Sequence, residues 1–244
     1  MPEETVPPLP IEEAYDEWAD ETQTALFLRS AFALLAGGFL SYVQFHSPIY
    51  GGAQWNQWIF LSVLANLILP LGIIWLFFGQ GVLRLEWLKD QRLNAWNYGW
   101  DFRAWKRHLL IALAATAVML PVLFWASRDP NTRTFYQGYF PPTTNAAGWL
   151  WLIGSLIIYM FCWEWFHRGF LLFGMAQGFG VIPAIVLQAI LFGAAHWGKP
   201  PVEMWSSFAG GLLLGALCWR EKSFAPAFLI HALIHVAWAI LVLS

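Results

Sequence analysis

Apolar residues run along this chain in long blocks, not in the alternating or 3.6-residue stripes of water-soluble elements. Seven blocks stand out, at 24–44, 57–79, 108–126, 148–173, 182–197, 205–220 and 224–243. Most approach the ~20 residues an α-helix needs to cross a bilayer. Helices are the expected spanning form, because lipid forces every backbone polar group to be satisfied within the segment. Turn-forming residues fall between the blocks: Ser47-Pro48 and Gly51-Gly52, Pro141-Pro142, and Gly198 to Pro201. The fifth and sixth blocks are short, as tilted or partial spans would be. The pattern predicts an all-α, polytopic transmembrane helix bundle of about seven spans, with no repeat of fixed period.

Composition agrees. Hydrophobic residues make up 59% and charged residues only 11% of the 244 positions, against about 25% charged in a soluble domain. Charge is unevenly placed. Residues 1–22 hold eight acids and four prolines and lack Lys and Arg. That is the reverse of the basic start of a cleavable signal peptide, and it reads as a solvated or interfacial tail with Trp18 near the headgroups. Taking the eight tail acids from the total of 15 leaves seven against 13 basic residues, a balance suited to anionic lipid.

The segment 81–107 carries Arg84, Lys89, Arg92, Arg103, Lys106 and Arg107, interleaved with Trp87, Trp96, Trp100 and Trp105. Beside membrane spans this is an interfacial belt, not a nucleic-acid surface. The positive-inside rule places it in the cytoplasm, with the N-terminus and with Arg220 and Lys222, and puts the C-terminus outside. The tail and the lack of targeting signals point to a bacterial inner membrane. Cys162 and Cys218 lie within spans and read as buried small hydrophobes, with neither metal spacing nor a disulfide framework.

Fourteen of the 15 acids fall in the tail, in the basic segment (Glu86, Asp90, Asp101) or in other connections (Asp129, Glu203, Glu221). The remaining one, Glu164, lies inside a span. A carboxylate there costs about 2.5–3.5 kcal/mol even on lenient insertion scales, so a functional role is the default reading. Arg168, four residues on, shares its helical face and can pair with it. Two further clusters supply imidazoles: Phe192-Gly193-Ala194-Ala195-His196, and His231 with His235 on one face of the last span. Ionisable groups in spans face the bundle interior or a wet cavity, so these groups are expected to converge among the last four spans.

A carboxylate and several imidazoles around water suit hydrolysis. Glu164 is the expected general base, with His196 as its partner and Arg168 orienting it. His231 and His235 are the expected oxyanion donors. The same residues admit a zinc reading through the i, i+4 pair His231/His235 with His196 and Glu164. However, Ala232 stands where the helical zinc-protease motif carries Glu. No cofactor is required by the glutamate route. The partners implied are membrane lipid and a peptide or lipidated protein substrate. A proton- or ion-coupled relay is the third class, disfavoured by the lack of a matching second half with broken helices.

In order and spacing, these segments resemble the CAAX-protease and bacteriocin-processing (Abi) family of intramembrane endopeptidases. The matching stretches are Trp163-Glu164-Trp165-Phe166-His167-Arg168, Phe192 to His196, and His231 to His235, led by Gly215 to Pro226. The resemblance covers roughly 148–240, so the chain divides into the tail 1–22, an N-terminal membrane region 23–147, and a catalytic core 148–244. It implies Glu-Glu-x-x-x-Arg, Phe-x-x-x-His and His-x-x-x-Asn motifs on successive helices, with a glutamate and the second-motif histidine activating water. Two positions depart from the pattern. Trp163 stands for the first glutamate, and His235 stands for Asn. The first departure admits a catalytically inactive scaffold as an alternative to a working variant.

Idealised spans put Glu164 and His196 at different depths. Convergence therefore requires either that the fourth helix runs on past Gly169, which is the expectation, or that the fifth starts late and dips in.

Overall fold

Blocks of apolar residues this long bury their own backbone polar groups only by coiling. In the computed structural model each such block forms a helix over most of its described length, and no strand occurs among the described residues, 11–46, 54–77 and 98–244. The first ten residues, the turn with Ser47-Pro48 and Gly51-Gly52, and the basic segment from 81 to 97 with Trp87 and Trp96 lie outside them. The helices are α1 (Ile11–His46), α2 (Trp55–Val63, Leu64–Ile68 and Leu69–Phe77 in succession) and α3 (Trp105–Ala126). There follow α4 (Pro130–Tyr139), α5 (Ala146–Phe179), α6 (Val181–Ala194), α7 (Pro201–Glu221) and α8 (Ala225–Leu243). Six of them are long and apolar enough to cross a membrane, and α6 is a shorter apolar helix. The protein is an integral membrane protein. Leu35, Val118, Ile182 and Leu213, each more than 70% exposed, are lipid-facing side chains.

Three elements differ from the hydropathy pattern. First, α1 begins at Ile11, so half of the acidic tail is helical. Second, the amphipathic α4 is too short and polar to register as a block. It begins where Asp129 accepts a hydrogen bond from the Thr132 N–H at 2.8 Å, with Pro130 at the first helical position, a strong local start signal. Third, Glu203 and Glu221 are not in connections but in the first turn and at the last residue of α7.

The helix carrying Glu164 does run past Gly169, continuing to Phe179, so Glu164 sits near its middle. Its winding loosens to π-helix over Trp165–Phe173, a local widening found mostly at functional sites. Gly169 makes this possible, because a Cβ there would collide with the Trp165 ring. After α5 the chain reverses at Gly180, whose φ of 83° lies in the left-handed region that glycine enters freely.

The return helix α6 packs tightly on α7 through small residues. A Cβ on Gly211 would stand 2.9 Å from the Ala189 Cα. Gln188 bridges the pair, its amide donating to the Gly211 carbonyl at 2.8 Å. Such small-residue contacts, with hydrogen bonds in place of a hydrophobic drive, are how helices associate in lipid. At the other end of α7, Arg107 pairs with Glu221, and His108 Nε2 lies 3.3 Å from the same carboxylate. These contacts tie the start of α3 to the corner leading into α8. The site-bearing helices α5 to α8 are thus fixed relative to one another.

Candidate active site

The polar centre is built from the middle of α5, the C-terminal end of α6 and the face of α8. Glu164 and Arg168 are one turn apart and both fully buried. Arg168 Nη1 lies 3.1 Å from Oε1 and 2.9 Å from Oε2 of Glu164. From α8, His231 brings Nδ1 to 2.6 Å from Oε1. An ionised carboxylate only accepts, so the imidazole donates from Nδ1, and its Nε2 is left for a second partner. His235 lies one turn further along α8, buried, with its ring 5.3 Å from that of His231.

Phe192 is the hub. The Arg168 guanidinium stands 4.0 Å over its ring, a cation–π contact that holds the charge flat in an apolar interior. The rings of His196, His167 and His231 lie 4.7, 5.2 and 5.9 Å from it. His196 follows the end of α6 on a turn, with Nδ1 2.7 Å from the Phe192 carbonyl. A carbonyl only accepts, so Nδ1 carries the proton, and in the neutral ring Nε2 presents its lone pair.

Of the five sequence-predicted residues, Arg168, His196 and His231 lie around the Phe192 ring, Glu164 is bound to Arg168 and His231, and His235 lies beside His231. The pairing differs from the expectation in one respect. Glu164 binds Arg168 and His231, and among the described residues no hydrogen bond or ion pair joins it to His196. The neighbour of His196 on this helix is instead Trp163, whose ring stands edge-on to the imidazole at 6.1 Å.

Four further residues complete the centre. His167 is buried, its Nδ1 2.9 Å from the Trp163 carbonyl. On the far side of His196, Glu203 approaches Nε2 to 4.0 Å with Oε1. Glu203 Oε1 also takes Lys199 Nζ at 2.8 Å, and its Oε2 accepts from the Tyr136 hydroxyl of α4. Burial first, then the negative charge of Glu203, hold the Tyr136 phenol well above its usual range, so it acts as a donor. Nothing in the sequence marks this cluster beyond the i, i+4 spacing of Lys199 and Glu203. Tyr136 comes from a helix that hydropathy does not register.

Arg168 Nε and Nη2 and His167 Nε2 are buried without a protein hydrogen-bond partner. Unsatisfied groups of this kind mark an interior built to receive polar guests. Among the described residues no three of His, Cys, Asp and Glu converge as a metal-holding group.

The family model of type II CAAX prenyl endopeptidase Rce1-like proteins matches residues 145–237, close to the stretch that carries the sequence resemblance. Over these residues, less than half of the chain, the protein is similar to that family of CAAX prenyl endopeptidases. Neither a curated protein nor a solved structure matches the chain.

Proposed function

We propose that the protein hydrolyses a peptide bond in a membrane-associated or lipid-modified substrate, using activated water. The observation that carries this reading is the division of roles between two imidazoles around Phe192. One, His231, is held by a buried carboxylate that Arg168 charge-balances. The other, His196, keeps its Nε2 lone pair turned toward a partly exposed edge.

In this scheme water is the nucleophile. Its oxygen adds to the scissile carbonyl carbon while its proton passes to His196 Nε2. Negative charge develops on the carbonyl oxygen. His231, which Glu164 orients, and His235 beside it are the donors to that oxygen. The C–N bond then breaks, and His196 returns its proton to the leaving amine. Glu164 is thereby a positioning residue for His231. It is a poor candidate for the base itself, because Oε1 takes both His231 Nδ1 and Arg168 Nη1, and Oε2 lies 2.9 Å from the same guanidinium nitrogen.

The test is a cleavage assay with purified protein in lipid nanodiscs. An internally quenched peptide carrying an S-farnesyl cysteine near its C-terminus is compared with the unmodified peptide in ¹⁸O-water. Label in the new carboxylate identifies hydrolysis. Glu164→Gln, His196→Ala and His231→Ala each lower turnover about 100-fold or more. Undiminished cleavage in any of them removes the role assigned to that residue. Trp163, in place of the first glutamate of the family motif, favours a second reading: a catalytically inactive scaffold. A wild-type protein that releases no labelled product from either peptide supports it.

A further inference from the structure

Resting on that hydrolytic reading, we propose that Glu203 is a catalytic carboxylate of this site, holding the attacking water against His196 and stabilising the imidazolium that forms. Neutral His196 and ionised Glu203 present two acceptors to each other, Nε2 and Oε1, 4.0 Å apart. Two acceptors at that distance attract nothing from one another. A molecule with two O–H donors satisfies both at once, since hydrogen bonds of about 2.8 Å at a bent angle span such a gap. Water is that molecule. The Glu203 side chain is 29% exposed while that of His196 is 5% exposed, so solvent reaches the pair from the carboxylate side.

The carboxylate is held for the task from several directions. Lys199 grips Oε1 from the turn after α6, and Tyr136, itself 2% exposed, donates to Oε2 from α4. Its place in the first turn of α7 puts it at the positive end of that helix. A merely structural Lys199–Glu203 pair needs no buried tyrosine from a separate helix. Among the described residues no other acid is found against His196. The groups around the ring are Trp163 and His167 from α5, Phe192 from α6, Lys199 from the turn, Glu203 from α7 and His231 from α8.

The step balances without further reactants. One water proton moves to His196 Nε2 as the C–O bond forms, the other stays hydrogen-bonded to Glu203 Oε1, and the His196 proton leaves on the amine when the C–N bond breaks. Glu203 is neither oxidised nor alkylated; it lowers the energy of the ion pair that forms.

Steady-state kinetics on the farnesylated peptide in nanodiscs test this. Glu203→Gln is expected to lower kcat by about 100-fold with KM within about twofold. Glu203→Ala is expected to lose as much and to regain at least about tenfold on addition of formate, a small carboxylate that fills the cavity. Tyr136→Phe, which leaves Glu203 in place, lowers kcat by about three- to tenfold. A Glu203→Gln kcat within twofold of wild type overturns the proposal, as does a Glu203→Ala protein that formate does not rescue. A separate readout does not depend on turnover: the structure of the wild-type protein in lipid, at a resolution that orders waters. A water within hydrogen-bond distance of both His196 Nε2 and Glu203 Oε1 supports the pair even if the peptide is not cleaved, in which case only the hydrolytic reading fails. An ordered site without that water overturns the proposal even if the protein is active.

Discussion

Nδ1 of His231 lies 2.6 Å from Oε1 of Glu164, and the same carboxylate is gripped by Arg168 from within its own helix. All three groups sit in the middle of a membrane bundle, where a lone charge is costly. Each therefore depends on the others. The arrangement converts an intramembrane acid into a device that orients an imidazole on a neighbouring helix.

Removing only Arg168 exposes that dependence. Arg168→Met strands a buried carboxylate and is expected to destabilise the protein by about 3–5 kcal/mol. The double variant Glu164→Gln with Arg168→Met recovers much of that loss, because no charge is left uncompensated. Thermal unfolding of the purified variants in detergent measures both. Equal losses in the single and double variants contradict the charge-balancing role.

The distance between His196 and Glu203 depends on how closely α6 and α7 pack. Gly211→Val places side-chain atoms against the Ala189 backbone, and overpacking of that kind costs about 1–3 kcal/mol. The expected result is a lowered unfolding temperature together with a loss of turnover larger than tenfold. Turnover that stays at the wild-type level in the destabilised protein shows that the helix spacing does not set the site.

Asp129 gives a pH dependence away from the membrane interior. Its hydrogen bonds with Thr132, first from the side chain and then from the backbone, hold the carboxyl below its usual range. The sign follows from linkage. A depressed folded value stabilises α4 above the ordinary aspartate range, about 4, and that stabilisation is lost as pH falls through the folded value. Amide hydrogen exchange across residues 130–139 is expected to rise about fivefold in Asp129→Ala at neutral pH, and not in Asp129→Ser. Wild-type exchange there approaches that of the alanine variant at low pH. A protection pattern in Asp129→Ala identical to wild type removes the cap from the account of how Tyr136 is held.

Orientation is tested at α4. The orientation expected from the positive-inside rule, with the basic segment in the cytoplasm, puts α4 outside. Thr134 is exposed, and the two native cysteines are buried. A single Thr134→Cys substitution is therefore expected to react with a membrane-impermeant maleimide added to intact cells or spheroplasts. Labelling only after lysis reverses the orientation.

The helical bundle and the identity of the central residues were legible because membrane insertion penalises every polar residue that lacks a role. Glu164 stood out as the one acid in a span for that reason, and Arg168 followed from one helical turn. Requiring Glu164 and His196 to share a depth also predicted that α5 continues beyond Gly169. What hydropathy missed was short or polar. α4 has no long apolar run, and Glu203 looked like an ordinary connecting acid. The pairing of Glu164 with His231 is not written in the sequence, because residue spacing carries no distance between separate helices. The π stretch after Glu164 changes which neighbour each side chain meets, and no residue pattern in the chain announces it.

The shortness of α6 reaches beyond the protein itself. Fourteen residues rise only about 21 Å, well under the ~30 Å of a hydrocarbon core, and the helix turns Ile182, Val186 and Ile190 outward. Acyl chains next to that face must shorten, tilt or let headgroups sink to meet it. The thinnest lipid around the molecule therefore lies beside α6, the helix that leads into His196. A chain anchored in the leaflet meets the least hydrocarbon there, and solvent has its shortest path inward.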